Sequence, residues 1–229
     1  MDLGLLKRTE DIYDSQLEDL ILPISIKCNF PKKHIFSQPG EVIDGIYYIY
    51  KGSTKHYMIS EDGVVKLLYV LSRGRFFAES PYFLNIPTGL YSETVDDCIL
   101  YKIPNESVNK LMATSKNFRD HIIRGYSEKC LILRYEIANL SFNNSKDRLK
   151  QIFCSLIDYK NSEKDSQWYD LEKHFTHQEL GEIIGTTRVT ISRQINELCN
   201  KNFLRIINRK HQLNKKMANK FLSDNKKIQ

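Results

Sequence analysis

The sequence predicts an α+β protein in which strands come first and helices follow, and three observations carry that expectation. Between about Ile24 and Ile103 the chain is a series of short β-rich segments broken by turn residues. From Ser107 to Phe142 there is no proline and one glycine, Gly125. Between Phe175 and about Leu213, a helix-start signal, a glycine and a second helix-start signal follow in close succession. Strands grouped ahead of helices indicate α+β rather than alternating βαβ units. The expected division is a β-rich unit over 1–106, a central helix over 107–142 and a helical unit over 143–229.

In the first unit, PGE (39–41), DG (44–45), KGS (51–53), EDG (61–63), RG (73–74) and PTG (87–89) mark turns. They separate IYYIY (46–50), KHYMI (55–59) and VVKLLYVL (64–71), and the EDG turn predicts a hairpin between the last two. Many short strands at this spacing predict a sandwich or a barrel-like roll.

In the central stretch, Ile123, Tyr126, Cys130, Leu133, Ile137 and Leu140 recur at spacings of 3, 4, 3, 4 and 3. Such a stripe marks a helix packed lengthwise on another helix, most simply its own copy in a homodimer. The other assignment is a helix that covers the β unit, and one helix can do both. SFNNSKD (141–147) reads as a polar hinge, and LKQIFCSLIDY as a further helix.

Thr176 and Glu179 fit a capping box, and the helix they open runs through Leu180, Ile183 and Ile184 to stop at Gly185. Thr186 and Thr187 offer the next cap, and TTRVTISRQINEL begins a second helix, which completes a helix-turn-helix pattern. Ile191, Ile195 and Leu198 share the side that faces the protein. Val189, Ser192, Arg193 and Asn196 fall on the opposite arc, with Arg188 and Thr190 near the N-terminal turns. Arginine can bond two acceptors on guanine, serine can hold a base edge, and valine can pack on a thymine methyl. KNFLRIINRKHQL follows as a hairpin or wing with Arg205, Arg209 and Lys210 among its apolar residues. Arg209 and Lys210 suit phosphate contacts, together with Thr176, Thr187, Thr190 and Asn196.

The whole chain of 229 residues is 41% apolar and 27% charged, with a formal charge of +6 and a pI near 8.9. The excess is concentrated: Lys201 to Gln229 holds nine Lys or Arg residues against one acid, Asp224. That concentration suits an anionic partner, although a disordered basic tail would look similar; together with the exposed face of the second helix it points to double-stranded DNA. Cysteines at 28, 98, 130, 154 and 199 form no CxxC pair and no zinc spacing, so free thiols in a reducing compartment are expected, with no metal and no cofactor. The N-terminal MDLGLLKRTEDIYDS turns acidic at once, and no apolar run approaches 18 residues. A cytoplasmic protein with no membrane segment is expected. There are no paired carboxylates, nucleophile elbow, phosphate-cradling glycine loop or metal cluster, which argues against an enzyme.

GIYYIYKGSTKHYMISEDGVVKLLYVLSRGRFFAES and ELGEIIGTTRVTISRQINELCNKNFL resemble the CRP/FNR family of bacterial transcription regulators, and the resemblance extends over roughly residues 20–213. It implies a homodimer with an effector-binding, cyclic-nucleotide-binding-like β-roll, a long dimerisation helix and a C-terminal winged helix-turn-helix. It further implies base reading by Arg188, Val189, Ser192 and Arg193, with Arg193 at the family's nearly general recognition arginine. Val189 stands where many members have glutamate. A half-site richer in A·T than TGTGA or TTGAT is therefore expected, within a palindrome near TTAAT-N4-ATTAA. The resemblance also implies contact with RNA polymerase and activation of transcription, while the sequence leaves repression open.

Cyclic-nucleotide members hold the ribose with a glutamate, which Glu79 matches, and the phosphate with an arginine and serine about ten residues on. Gly89, Leu90 and Tyr91 stand there instead, and a buried phosphate without a cation is costly. Only Cys28 precedes residue 90, so an iron–sulfur cluster is not expected. His34 and His56 read as surface or structural histidines rather than haem ligands. Aromatic residues with a polar anchor suit a small organic effector, and the expected pocket is Phe76, Phe77, Glu79, Tyr82, Phe83, Tyr91 and Lys129. KLLYVLSRGRFF, the Lys129 position and RVTISR are similar to a subgroup that controls reductive dehalogenation genes. That subgroup implies a chlorinated phenolic acid with the lysine on its phenolate, although ESPYFLNIPTGLYS departs from its pattern. Effector binding would shift how the central helices pair, and with them the spacing of the recognition helices. The alternative is a constitutive, redox-responsive or haem-responsive regulator with no organic effector.

Overall fold

The computed structural model describes residues 9–162 and 166–225. The chain forms two compact units, one made of the residues up to Ile59 with Leu67–Ile137, the other of Ser60–Lys66 with the residues from Ala138 onward.

The first unit begins with helix α1 (Ser15–Ile21) and a 3-10 turn, followed by β1 (Ile26–Phe30), β2 (Ile35–Ser37), β3 (Ile46–Lys51), β4 (Thr54–Ile59), β5 (Val65–Leu71) and β6 (Phe76–Phe77). A short helix α2 (Glu79–Leu84) precedes β7 (Tyr91–Thr94) and β8 (Cys98–Ile103). The strands make two four-stranded sheets, in the orders β1-β8-β3-β6 and β2-β7-β4-β5. Their inward residues Ile49, Leu71, Phe77, Cys98 and Leu100 form one buried cluster, so the two sheets share a core in the manner of a β-roll. The β4–β5 hairpin sits on the EDG turn, as the turn chemistry predicts, with Gly63 at φ 76°. Gly52 turns β3 into β4 at φ 88°, where an added Cβ would lie 2.6 Å from both Asp96 and Cys98.

The proline-free stretch is two helices rather than one. Helix α3 (Asn105–Thr114) ends at Ser115, and α4 (Lys116–Phe142) begins at once. Ser115 is extended, its N–H bonds to Leu111 O, and its hydroxyl accepts from the N–H of Phe118, so one residue closes α3 and caps α4. Phe118, Ile122, Gly125, Lys129, Ile132 and Glu136 form the buried face of α4. Phe118 and Ile122 join Leu17, Ile21, Tyr48, Phe76 and Val108 in a second core cluster. One position round, Ile123, Tyr126, Cys130, Ile137 and Leu140 are exposed and Leu133 is half-buried. A single helix thus covers the roll with one stripe and leaves the other apolar stripe open.

The second unit holds α5 (Ser145–Ser155), β9 (Trp168–Tyr169), α6 (His177–Ile184), α7 (Arg188–Asn200), β10 (Leu204–Ile207), β11 (Lys210–Asn214) and α8 (Lys215–Asn225). The expected polar hinge shrinks to Asn143 and Asn144, and the Asn144 side chain caps α5. Leu149, Ile152, Phe153, Leu180, Ile184, Ile191, Ile195, Leu198, Leu204 and Leu213 are among its buried residues. The β10–β11 hairpin gains β9 as a third strand, and its two-residue turn places Asn208 and Arg209 at φ 50° and 64°. Both central residues in the left-handed region is the primed turn that matches strand twist. The basic stretch after Lys201 is therefore largely folded, as a wing and a helix, through the described residues. No helix among them is long and apolar enough to cross a membrane.

Candidate functional site

The helix pair is held by the signals that identify it. Thr176 and Glu179 make the complete capping box, with the Glu179 N–H donating to the threonine hydroxyl oxygen and the Thr176 N–H to the carboxylate. Gly185 ends α6 at φ 78°. Thr187 then caps α7, its oxygen accepting from Thr190 N–H at 3.1 Å. Lys66 donates to the terminal carbonyls of Ile183 and Ile184 at 3.0 and 3.1 Å. With Ile191, Ile195 and Leu198 buried, α7 presents Arg188, Val189, Arg193 and Asn196 to solvent, and Val189 is 78% exposed.

Several residues expected at DNA differ in detail. Ser192 is half-buried: its hydroxyl donates to Arg188 O and lies 2.8 Å from His177 Nδ1, so it braces α7 on α6 rather than standing clear at a base edge. The Thr176 and Thr187 hydroxyls are engaged in the caps, and Thr190 pairs with Thr187. Arg209 and Lys210 are exposed at the wing tip. Arg205 is committed elsewhere, 4.5 Å over the Trp168 ring and bonded to Gln212.

In the first unit, a cavity of about 230 Å³ opens between the roll and α4. Of the seven residues expected at an effector pocket, Phe77, Glu79 and Lys129 line this cavity. Four residues do not. Phe76 points the other way across β6, 5.1 Å from Tyr48 and 5.5 Å from Phe118, because successive strand residues face opposite sides. Tyr91 stacks on Tyr57, Tyr82 bonds Asn109, and Phe83 is 49% exposed. His56, Tyr69, Ser92, Thr88, Tyr126 and Leu133 are among the lining residues the sequence reading missed. A signal for the first two existed. His56 alternates in step with buried Thr54, and Tyr69 with buried Leu67 and Leu71.

The polar interior is tightly paired. Lys129 Nζ lies 2.6 Å from both carboxylate oxygens of Glu79 and 2.8 Å from Phe76 O, with the two side chains 5% and 2% exposed as residues. Lys129 is thus a buried, paired cation and not a solvated one. Both His56 nitrogens are taken, by Thr54 and Ser92 at 3.0 Å each, which leaves none to ligate an iron. Burial, with Lys129's charge adding, pushes the His56 pKa down to about 3. Burial, then His177 and His174, pushes His211 down to about 4. Both rings are neutral when folded, while the unfolded chain binds protons on them below about pH 6.5. Stability is therefore expected to fall as pH drops from 6.5 toward 4.5, at up to about 1.4 kcal/mol per pH unit for His56. Urea midpoints across that range check this, and His56→Gln should flatten the slope.

Among the described residues, no group of three His, Cys, Asp or Glu could hold a metal, and all five cysteines are free. Residues 27–115 match the cyclic nucleotide-binding domain, and residues 147–216 match the Crp-like helix-turn-helix domain. The cAMP-activated global transcriptional regulator CRP of Pasteurella multocida is 24% identical over 165 residues, covering 72% of this chain and 78% of its own. The global nitrogen regulator of Synechococcus elongatus is 26% identical over 184 residues, covering 77% and 80%. Among solved structures, the c-di-GMP-responsive regulator CLP of Xanthomonas campestris has a TM-score of 0.75 at 21% identity, over 88% of this chain and 99% of that one. CprK complexed with OCPA has a TM-score of 0.68 at 20% identity, over 92% and 95%.

Proposed function

The chain belongs to the CRP/FNR family of transcription regulators, and from that premise we propose that it is an activator of an A·T-rich palindrome near TTAAT-N4-ATTAA, switched by a small aromatic acid. As a family member it is an effector-responsive, DNA-binding homodimer of the cytoplasm, and it regulates transcription rather than catalysing a reaction. The observation that carries the DNA half of the proposal is the exposed face of α7. There Arg188 and Arg193 flank Val189, which offers a thymine methyl an apolar partner and a cytosine amino group no acceptor. Arg209 and Lys210 at the wing tip supply phosphate contacts.

The effector half rests on the cavity. At about 230 Å³ it is small for a nucleotide, and its one lining cation, Lys129, is already paired. The apolar lining of Phe77, Ile86, Leu90 and Leu133 suits a single ring. The similar CprK structure is a complex with OCPA. The open stripe on α4 is the face on which two copies pair, and Tyr126, Cys130 and Leu133 belong to both stripe and cavity. A ligand there would bias how the two helices meet, and so the reach of the two recognition helices. The activated dimer would then contact RNA polymerase.

Fluorescence anisotropy on TTAAT-N4-ATTAA at fixed salt, with and without 3-chloro-4-hydroxyphenylacetate, tests both halves. The ligand should tighten binding by about tenfold or more, about 1.4 kcal/mol. The double variant Glu79→Gln/Lys129→Met should bind DNA and ignore the ligand. Tight binding of the wild type that ignores the ligand would instead mark a constitutive regulator. Loss of all preference for A·T at the half-site would overturn the role of Val189.

A further inference from the structure

The cavity contains a feature that an anionic ligand must contend with. An ammonium has three donors, and those of Lys129 are all spent: two reach the Glu79 oxygens and the third reaches Phe76 O. Glu79 is buried at the start of α2, directly after Ala78, which holds a left-handed backbone at φ 73°. The pair is closed to solvent but borders the cavity, so an entering acid meets a cation whose donors are occupied.

Two arrangements would let an acid reach Lys129. If Glu79 stayed ionised, the site would hold two anions and one cation out of water, which is strongly unfavourable. If Glu79 were protonated, the buried charge would remain balanced. We propose that Glu79 is an internal stand-in for the effector: a small aromatic carboxylic acid enters as its anion, displaces Glu79 from Lys129, and Glu79 takes up one proton from solvent. This rests on the effector reading of the cavity. In charge terms, Glu79 and Lys129 sum to zero before binding, and ligand anion, Lys129 and neutral Glu79 sum to zero after it. The ligand class follows: acids with one ring are preferred over their neutral alcohols, and their affinity depends on pH.

The other titratable groups around the pair are His56 from β4, Tyr69 from β5, and Tyr126 and Cys130 from α4. His56 stays neutral, its pKa held near 3 mainly by burial, and burial together with Glu79's charge pushes the Tyr69 phenol up. Neither exchanges a proton between pH 6 and 8.

The test is calorimetric titration of the full-length dimer with 3-chloro-4-hydroxyphenylacetate, 4-hydroxyphenylacetate and the matching arylethanols. It is run at pH 6 to 8 in buffers of different ionisation enthalpy. The acids should weaken by about tenfold per pH unit with one proton taken up per site. A carbonyl band of a protonated carboxyl should appear in the infrared difference spectrum and vanish in Glu79→Gln. Binding of the acids with no proton uptake would overturn the displacement and leave the effector reading intact. A band that persists in Glu79→Gln would place the proton elsewhere and overturn the assignment. Preference for the alcohols would overturn the anionic class. Failure of every probe to bind would remove the effector reading and this inference together.

Discussion

Replacing Arg193 with alanine is expected to cost about 1–3 kcal/mol per half-site, and so about 2–6 kcal/mol for a dimer on a full palindrome. Arg193 is exposed on α7 with its backbone fixed by the Thr187 cap and by the buried Ile191 and Ile195. On the proposed reading, the change removes a base contact and leaves the fold alone. Anisotropy on TTAAT-N4-ATTAA and on single-base variants separates the outcomes. A base-reading arginine relaxes preference at one position, whereas a phosphate contact lowers all affinities alike and reduces the salt slope. Val189→Glu should move preference toward a C·G pair at its position, because a carboxylate accepts from the cytosine amino group. An unchanged preference in both variants would mean that α7 does not read the bases.

Lys129→Met is expected to destabilise the first unit by about 3–5 kcal/mol, since it strands Glu79 in a buried site without its partner. In a chain of this size that is on the order of 10 °C in the thermal midpoint. Glu79→Leu/Lys129→Met should recover most of the loss, because an apolar pair of similar volume costs no desolvation. Calorimetry of the three proteins distinguishes this from a merely solvated lysine, whose replacement would change stability by about 0.5 kcal/mol or less.

The parts that were legible in the sequence are those where the signal is local. The capping box at Thr176, the stop at Gly185 and the cap at Thr187 are each written within a few residues, and the helix pair forms on them. The stripe on α4 was legible because a period of 3 and 4 survives whatever packs on it. The break at Ser115 was written too, as a serine whose hydroxyl caps the next turn, but it sits inside a proline-free run that masks it. The cavity was less legible. Phe76 and Phe77 are adjacent, and only the pairing of β6 with β3 decides that Phe76 packs against Tyr48 and Phe118 while Phe77 packs between the sheets and borders the pocket. The partnership of Glu79 and Lys129 joins residues fifty apart, with no spacing rule to announce it.

The wing tip has a consequence for how this protein can vary. Arg209 occupies left-handed backbone, where a side chain costs free energy that glycine does not. A sequence optimised for folding alone would place glycine there and gain stability. On the proposed reading it would also discard a positive charge aimed at the DNA backbone. Selection for a sturdier domain and selection for a tighter grip on DNA pull this position in opposite directions, a trade-off of the kind that keeps natural proteins below their stability optimum.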